Sequence, residues 1–363
     1  MKEKKVEHGA NLYEISEMLG VKKGEILDFS SNINPYGASE KGKEAIIKNI
    51  DAVSIYPDPD YVGLKKAIGS YCGVKEESII LGSGATELIG ALIKSVNPKK
   101  TLLLSPAYSE YERELKKIGC HIHEFPYKKE INFQIDIDEL LAKIKDADYD
   151  LIIICNPNNP TGISLDKGKL EMILKNFSGV LMIDETYIEF TELEKYSGTP
   201  LVEKYPNLFL IRGTSKFFAT PGIRLGYALV AQGELREKVI SYSSLWNINI
   251  FAAIMGETMF GDREYIESCR DKILKEREYL QEALSSLKNI KVYKSTSNFI
   301  LCQITGGDLK AENLREILLK EGMVIRDASK FSGLDKMFFR VCILKNEENR
   351  KLINKLEKIF GKK

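Results

Sequence analysis

Short apolar runs alternate with amphipathic segments through the first two thirds of the chain. The runs are rich in Val, Ile and Leu and are bounded by turn-forming residues, which favours buried strands, whereas the segments between them have the helical period. Strands are predicted at 79–81, 101–104, 120–125, 151–155, 180–183, 208–211 and 226–230, and helices at 40–50, 64–71, 87–96, 110–118, 138–145 and 166–176. This alternation predicts the α/β class, with a mixed but mainly parallel sheet between helices.

The pattern changes after about residue 232. A long amphipathic helix is predicted at 262–287, followed by strands at 292–293, 298–302, 323–326 and 338–342 and helices at 311–320 and 347–360. Separate strands and helices of this kind indicate a smaller α+β domain. Residues 8–37 contain a short helix ending at Gly20 and then a polar, turn-rich arm, which cannot bury a core of its own. We therefore expect an N-terminal arm and small-domain segment (1–40), a large domain (41–255) and a small C-terminal α+β domain (256–363).

Charge and composition exclude several classes of protein. The chain has 53 basic and 52 acidic residues, a net charge of +1, so neither nucleic acid nor a membrane is an expected partner. No run resembles a signal segment or reaches membrane-spanning length. The six cysteines are far apart, which favours reduced thiols and a cytoplasmic protein. His121-x-His123 has no third ligand nearby in the sequence, so no metal site is expected.

Unusual residues follow several predicted strands. Lys216 lies beyond the strand ending at Ile211, in a partly apolar loop where a lysine can lose proton affinity and become a nucleophile. Asp184 ends another buried strand and therefore needs a cationic or donor partner. Arg224 has the planar fork that suits a phosphate, although one lysine and one arginine alone are ordinarily solvated residues. The loop 82–86 opens a helix, so its N–H groups can converge on an anion. Ligands of such sheets bind outside the carboxyl ends of the strands.

These groups together suit an aromatic aldehyde that has a ring nitrogen and a phosphate. Lys216 would bind the aldehyde as an imine, and Asp184 would keep the ring nitrogen protonated so that the ring can accept electrons. The remaining candidate contacts are Asn159 and Tyr187 to the ring oxygen, Tyr108 on the ring face, and Gly84, Ala85, Thr86 and Arg224 around the phosphate. For either tyrosine by itself, packing in the core is the competing interpretation.

The motifs Asn159-Pro160-Thr161-Gly162, Asp184-x-x-Tyr187 and Ser215-Lys216 with Arg224 stand at family spacing. Through them the chain resembles, over essentially its whole length, the fold-type-I pyridoxal-phosphate enzymes of the aspartate aminotransferase superfamily. The resemblance implies pyridoxal 5'-phosphate (PLP) as cofactor, bound by the large domain and by Ser215 among other residues. It also implies a homodimer with active sites at the subunit interface, in which Tyr56 reaches the cofactor phosphate of the neighbouring subunit.

One position departs from the family pattern, and one competing motif fails. Gly213 stands where relatives usually have a Ser or Thr hydroxyl for the phosphate, and Thr214 or Ser215 are the candidates to replace it. A dinucleotide-binding loop is disfavoured because Gly82-x-Gly84 is followed by Glu87 where that fingerprint needs glycine.

Two groups within the superfamily are similar to this chain. Histidinol-phosphate aminotransferases are similar across 56–342, including the late arginines Arg326 and Arg340. Threonine-phosphate decarboxylases of cobalamin synthesis are more similar still, since they share His8-Gly-x-Asn11, the polar arm at 28–37 and Lys216-Phe-Phe-Ala.

Both groups imply a small phosphorylated amino substrate. Arg326 and Arg340 would bind its anionic end, with help from His8, Asn32 and Asn159, although a surface salt bridge is the alternative for each arginine. The predicted activity is decarboxylation of L-threonine-O-3-phosphate. The alternatives are histidinol-phosphate transamination with 2-oxoglutarate and a non-catalytic PLP-binding regulatory module. Such regulators usually have a helical DNA-binding domain in front, whereas only about forty residues precede the core here.

Overall fold

The computed structural model of the chain describes residues 11–363. Its helices are α1 (Leu12–Leu19), α2 (Glu40–Lys48), α3 (Val62–Cys72), α4 (Ala85–Val96), α5 (Ser109–Lys117), α6 (Ile137–Lys145), α7 (Lys167–Asn176), α8 (Leu193–Tyr196), α9 (Glu234–Ile240), α10 (Ile250–Met259), α11 (Arg263–Ser285), α12 (Ala311–Leu319) and α13 (Asn346–Phe360). Its strands are β1 (Leu27–Asp28), β2 (Ile79–Gly82), β3 (Lys100–Ser105), β4 (His121–Pro126), β5 (Leu151–Cys155), β6 (Val180–Asp184), β7 (Leu208–Gly213), β8 (Gly226–Leu229), β9 (Ile290–Val292), β10 (Phe299–Ile304), β11 (Met323–Val324), β12 (Arg326–Asp327) and β13 (Phe338–Cys342).

Sequence analysis missed helices α8 to α10. The sequence of α10 is Ile-Phe-Ala-Ala-Ile-Met-Gly-Glu-Thr-Met, and it buries Ala252, Met255 and Met259 among others. A helix that is apolar around most of its circumference lacks the polar stripe on which a periodicity argument depends. The other two helices are short, with α8 the shorter.

A seven-stranded sheet has the order β2-β8-β7-β6-β5-β3-β4. The pairs β4–β3, β3–β5, β5–β6 and β6–β7 are parallel, whereas β8 is antiparallel to both β7 and β2. The prediction of a mainly parallel sheet is therefore confirmed. Because β8 runs in the opposite direction, the residues that precede it lie at the same sheet edge as the residues that follow β2, β3, β5, β6 and β7.

The chain divides into two compact units. The large unit comprises Tyr36–Asn159 and Ile163–Arg270, and the small unit comprises the described residues up to Pro35, together with Pro160–Gly162 and Asp271–Lys363. These limits differ from the predicted limits after residues 40 and 255, because α10 packs against α2 and α3 and because Nε of Arg270 donates to the carbonyl of Glu189.

The small unit contains a four-stranded antiparallel sheet in the order β12-β13-β10-β9. Strand β1 pairs with β11, and the carbonyl of the fully buried Phe29 accepts a hydrogen bond from the N–H of Cys342. The polar arm is therefore built onto this unit at its start. Phe29 packs with apolar residues of α11, β10, β13 and α13 in one core.

Residues 11–363 contain neither a helix suited to crossing a membrane nor a cluster of potential metal ligands. Within residues 11–363, no helix has both the length and the apolar character needed to cross a membrane. The same residues contain no group of three or more His, Cys, Asp or Glu side chains suited to holding a metal ion. All six cysteines are free thiols.

Candidate active site

One edge of the seven-stranded sheet brings most of the predicted cofactor residues together. The residues at this edge and the strands that place them are Gly84, Ala85 and Thr86 after β2, Tyr108 after β3, Asn159 after β5, Asp184 and Tyr187 at the end of β6, Ser215 and Lys216 after β7, and Arg224 before β8. This is the edge at which parallel sheets bind ligands.

Asp184 ends β6 as a buried carboxylate with only 4% of its surface exposed. Its Oδ2 accepts a hydrogen bond from the hydroxyl of Tyr111 at 2.7 Å, and its Oδ1 accepts one from the N–H of Thr186 at 2.9 Å. Burial raises the pKa of Asp184 above its usual value, and the hydrogen bonds from Thr186 and Tyr111 act in the opposite direction. The predicted need for a donor partner is thus met by two neutral donors, neither of which brings a charge that would pair with the carboxylate in place of a ligand.

Tyr111 is a site residue that sequence analysis missed. It is fully buried on α5, and its ring meets that of Tyr108 edge to face, with the ring centroids 5.6 Å apart. Burial, and next the charge of Asp184, raise the pKa of Tyr111 well above its usual value, so the proton remains on the phenol. Tyr108 is the N-cap residue of α5 and Tyr111 lies in the first turn of that helix, so the spacing of three residues was the available signal.

A cradle formed by Arg224 and by the backbone of two glycines lies where α4 begins. A Cβ on Gly84, whose φ is +83°, would lie 2.4 Å from Nη2 of Arg224. A Cβ on Gly226 would lie 2.6 Å from the backbone N of Ala85. Both glycines therefore allow the guanidinium and the strand to approach the helix N-terminus, whose first N–H groups have no partner inside the helix. Nη2 of Arg224 is oriented there by the carbonyl of Ser83, at 3.2 Å.

Tyr108 connects this cradle to the carboxylate. Its hydroxyl forms a hydrogen bond with the side chain of Thr86, and the charges of Asp184 and Arg224 both act on it. Burial is the largest influence and raises the pKa of Tyr108. The aromatic ring therefore lies within electrostatic range of the acid and of the arginine, as a ring that stacks on a ligand held by both would. Stacking itself stays a prediction.

The loop that carries Lys216 is held on both sides of the lysine. Before it, Thr214 is fully buried, with its N–H and its hydroxyl both donating to the carbonyl of Leu225. After it, the rings of Phe217 and Phe218 are buried in an aromatic cluster, with their centroids 5.4 Å apart. Lys216 itself is only partly buried. The anchored residues on both sides of Lys216 restrict the positions that its amine can reach, but they do not enclose the amine.

Gly213 occupies the position at which a hydroxyl for the cofactor phosphate was expected. A Cβ there would lie 3.4 Å from Cβ of Ala85 and 3.9 Å from its N atom, so the position faces the start of α4. Of the two residues considered as replacements for the missing hydroxyl, Thr214 is committed to Leu225 and Thr220. Ser215 is partly buried and remains the candidate.

The loop after β5 is tied to its surroundings by amide side chains. Nδ2 of Asn158 donates to the carbonyl of Pro106, at 3.1 Å, which joins this loop to the one that carries Tyr108. The side chain of Asn156 bridges backbone groups nine residues further on, at Leu165. Asn159 and Tyr187, the predicted partners of the ring oxygen, are both buried.

A buried ionic cluster stands directly beside the site and was also missed. Arg212, 3% exposed, donates to Oε2 of Glu185 from Nε and Nη2 at 3.0 and 2.9 Å. Nη1 of Arg212 lies 3.8 Å from Oε1 of Glu189. Glu185 follows Asp184 and Arg212 precedes Gly213, so the cluster holds the backbone of both strand ends. Burial raises the pKa of Glu189 to about 7.

Tyr56 is a predicted cofactor residue with a largely exposed side chain. Its side chain is 76% exposed and stacks on Trp246, with the ring centroids 4.5 Å apart. Trp246 has a φ of +53°, which is uncommon for a bulky residue. The exposed pair is consistent with a role toward another chain, which stays a prediction.

The predicted substrate residues of the small unit lie together, apart from His8, which is outside the described residues. Arg326 and Arg340 are opposite each other on the paired strands β12 and β13. Arg340 is 5% exposed, and its Nη2 donates to the carbonyl of Ser30 at 2.6 Å. Asn32 is buried, and its carbonyl accepts a hydrogen bond from Nδ2 of Asn298. Burial of Arg340 argues against the surface salt bridge that was its alternative interpretation.

Comparison with known families decides the membership of the chain. The family described as aminotransferase class I and II matches residues 24–356. The chain belongs to this family. Its members are PLP-dependent enzymes, and the described α/β structure with its mostly parallel sheet is the fold of that family's solved structures.

Three relatives of this aminotransferase-family chain are informative. It is 39% identical over 99% of its length to a protein of Caldanaerobacter subterraneus, matching 95% of that protein, which bears the name threonine-phosphate decarboxylase as a provisional assignment. It is 30% identical over 97% of its length to the threonine-phosphate decarboxylase of Salmonella typhimurium, matching 96% of it. The crystal structure of the histidinol-phosphate aminotransferase from Clostridium acetobutylicum is 36% identical, with a TM-score of 0.86, covering 92% of this chain and 99% of that one.

Membership of this family implies the use of PLP, and the described residues fit that group. The absence of a side chain at Gly84 and Gly226 allows Arg224 and β8 to lie directly against the start of α4, where a phosphate would meet both a guanidinium and backbone N–H groups. A buried carboxylate with neutral donors stands at the end of β6 for a protonated ring nitrogen. The start of α4 thus suits a phosphate, and the end of β6 suits a cation.

Proposed function

We propose that this chain is an L-threonine-O-3-phosphate decarboxylase that uses PLP. The observation that carries the proposal is the link from Asp184 through Tyr111 and Tyr108 to Thr86 and the anion cradle, at the same sheet edge as Lys216. Histidinol-phosphate transamination is the second candidate, and the 36% identity to the solved aminotransferase favours it.

PLP, when bound, supplies an aromatic ring that accepts the electron pair of a breaking bond. Asp184 would hold the proton on the ring nitrogen, because a buried carboxylate is stabilised by a cation beside it. Arg224 and the N–H groups of Ala85 and Thr86 would bind the phosphate. Lys216 would hold the aldehyde, yield it to the amine of the substrate and return a proton to the substrate carbon.

Arg326 and Arg340 support a doubly anionic substrate. Two guanidinium groups on neighbouring strands present planar forks, which bind phosphate or carboxylate oxygens in pairs. L-threonine-O-3-phosphate has both anions on a short carbon chain. Its carboxylate leaves as carbon dioxide if the C–COO⁻ bond is the one whose electrons reach the ring, and a proton then takes its place on carbon.

Identity to relatives favours decarboxylation over transamination. The match to the protein named provisionally as a threonine-phosphate decarboxylase, 39% over 99% of the chain, exceeds the match to the solved aminotransferase, 36% over 92%. The chain also resembles the decarboxylase group in the leading His8-Gly-x-Asn11 and in the arm at 28–37.

Incubation of purified, PLP-loaded protein with each substrate tests the proposal. Carbon dioxide released from L-threonine-O-3-phosphate supports the decarboxylase, and glutamate formed from histidinol phosphate with 2-oxoglutarate would establish the aminotransferase instead. A yellow protein inert to both mixtures would indicate the non-catalytic regulatory module. Borohydride followed by peptide mapping should place the reduced cofactor on Lys216. Lys216→Ala should lose it, whereas Lys238→Ala, which removes an exposed lysine paired with Glu234, should keep it.

We also propose a homodimer in a reducing compartment. The large unit exposes several large apolar side chains, namely Ile47, Ile50, Val53, Ile55, Tyr56, Val62, Leu245 and Trp246. Exposed apolar residues of this density usually mark an interface. Free thiols at all six cysteines support reducing conditions. Analytical ultracentrifugation of the purified protein distinguishes the dimer from a monomer.

A further inference from the structure

Tyr265 joins two segments of the large unit through its hydroxyl. The residue lies in the first turn of α11, and its oxygen is 2.8 Å from the carbonyl of Gly37 and 3.1 Å from the carbonyl of Phe217. Its ring lies nearly parallel to that of Phe218, at an angle of 28° and a centroid distance of 6.4 Å. The side chain is thus held by packing as well as by hydrogen bonds.

The contact with Phe217 matters because that residue follows Lys216 directly. The Phe217 ring is fully buried against Phe190, with the centroids 5.3 Å apart, and the guanidinium of Arg270 lies 5.8 Å from its centroid. Packing therefore fixes the ring, whereas the Tyr265 hydroxyl holds the main chain. The carbonyl of Phe217 belongs to the peptide between Phe217 and Phe218, so the Tyr265 hydroxyl restrains the backbone one residue beyond Lys216 and, through it, the direction in which the lysine side chain leaves the loop.

The contact with Gly37 concerns the end of the polar arm. Gly37 has a φ of +80°, and a Cβ built there would meet nothing within 4 Å, so its surroundings leave room for movement. A tyrosine hydroxyl has one hydrogen and therefore donates fully to one carbonyl at a time. The arm and the lysine loop thus compete for the same proton.

We propose that Tyr265 is a positioning residue for Lys216. Its hydroxyl couples the loop that carries Lys216 to the end of the arm at Gly37. The inference rests on the proposed function, in which Lys216 is the amine that holds the cofactor. Tyr265 acts through the backbone of Phe217 and needs no contact with the cofactor or the substrate.

The variant Tyr265→Phe keeps the ring and removes the hydroxyl. Tyr205→Phe is the matched control, because the Tyr205 hydroxyl also makes one hydrogen bond, 3.0 Å to Glu171, but precedes β7 at the opposite end of the strand. Two readouts report on Lys216 without turnover. They are the rate at which an amine-reactive reagent labels Lys216 in the cofactor-free chain, followed by mass spectrometry, and the circular dichroism of the chromophore in the PLP-loaded chain.

Tyr265→Phe should change the labelling rate and lower kcat by about two- to tenfold, the factor expected for one hydrogen bond. The circular dichroism should change as well, with KM and the thermal midpoint close to those of the control. Labelling and dichroism identical to wild type would overturn the proposal, as would equal effects in Tyr205→Phe. Failure of borohydride to fix the chromophore on Lys216 would instead overturn the proposed function, while the labelling rate would still test the positioning.

The coupling to the arm has its own test. Gly37→Ala strains the backbone at a positive φ and displaces the carbonyl that Tyr265 contacts. If the hydroxyl carries the coupling, the effects of Gly37→Ala and Tyr265→Phe on the labelling rate should be clearly less than additive in the double variant. Fully additive effects would show that the arm and the lysine loop are independent.

Discussion

The hydroxyl of Tyr111 lies 2.7 Å from Oδ2 of Asp184 and donates a hydrogen bond to it. A neutral donor lowers the energy of the carboxylate without cancelling its charge. The hydrogen bond lowers the pKa of the buried acid and leaves its charge unpaired, so Asp184 can still pair with a cation brought by a ligand.

Tyr111→Phe should move the acid limb of the activity profile to higher pH. Burial already raises the pKa of Asp184, and the lost hydrogen bond had been lowering it, so the carboxyl would protonate at a higher pH than in wild type. We expect kcat/KM at neutral pH to fall by about two- to tenfold, as for one hydrogen bond. The measurement is kcat/KM against pH. Tyr293→Phe, which removes a 2.8 Å hydrogen bond to Gln303, is the control, and equal profiles for both variants would contradict the expectation.

Gly226→Ala should weaken the cofactor cradle. The new Cβ would lie 2.6 Å from the backbone N of Ala85 and from the carbonyl carbon of Gly84, so the start of α4 would have to shift. We expect a loss of about 1–3 kcal/mol in the free energy of unfolding, typical of overpacking, together with weaker PLP binding. Gly222→Ala is the control, because a Cβ there meets nothing within 4 Å. Urea unfolding and absorbance titration with PLP measure both effects, and similar results for the two variants would refute the steric explanation.

Glu189→Gln should stabilise the protein relative to wild type as the pH rises. Burial raises the folded-state pKa of Glu189 to about 7 from its usual 4.5, so the folded state binds a proton that the unfolded state has lost. The stability that Glu189 contributes is therefore present below the lower value and disappears as the pH passes through the higher one. Between these two pKa values, the difference in free energy of unfolding between Glu189→Gln and wild type should change by about 1.4 kcal/mol per pH unit at the steepest.

Urea unfolding of wild type and Glu189→Gln from about pH 5 to pH 8 measures this difference over the titration range. Glu237→Gln, which removes an exposed glutamate paired with Arg236, is the control for the substitution itself. A constant difference between wild type and Glu189→Gln across the range would show that Glu189 does not titrate there.

Mixing two inactive variants should restore activity if Tyr56 acts on the neighbouring subunit. A dimer of one Lys216→Ala chain and one Tyr56→Phe chain would have one site with an intact lysine and an intact tyrosine from its partner. Random reassociation in equal amounts should recover about a quarter of wild-type activity, since half of the dimers are hybrids with one working site. Activity no higher than that of the separate variants would place Tyr56 in its own subunit's site.

Local patterns were sufficient to predict the strands that carry the site. β5, β6 and β7 consist mostly of apolar, buried residues, so their period and composition identified them, and Asp184 and Lys216 were located as polar residues at or beyond the strand ends. The antiparallel direction of β8 was not predicted. That direction is what brings Arg224 to the same edge as Gly84, because it reverses which end of the strand faces the site.

The order of residues along the chain was sufficient to predict the strands, the family motifs, and the lysine, acid and arginine of the candidate site. Each of these depends on neighbours within a few positions. Tertiary structure alone decided that Tyr111 supports Asp184, that Arg212 pairs with Glu185 and that Tyr265 reaches the backbone after Lys216. Those partners lie far apart along the chain, and burial selects them only once the sheet and its helices exclude water from between them.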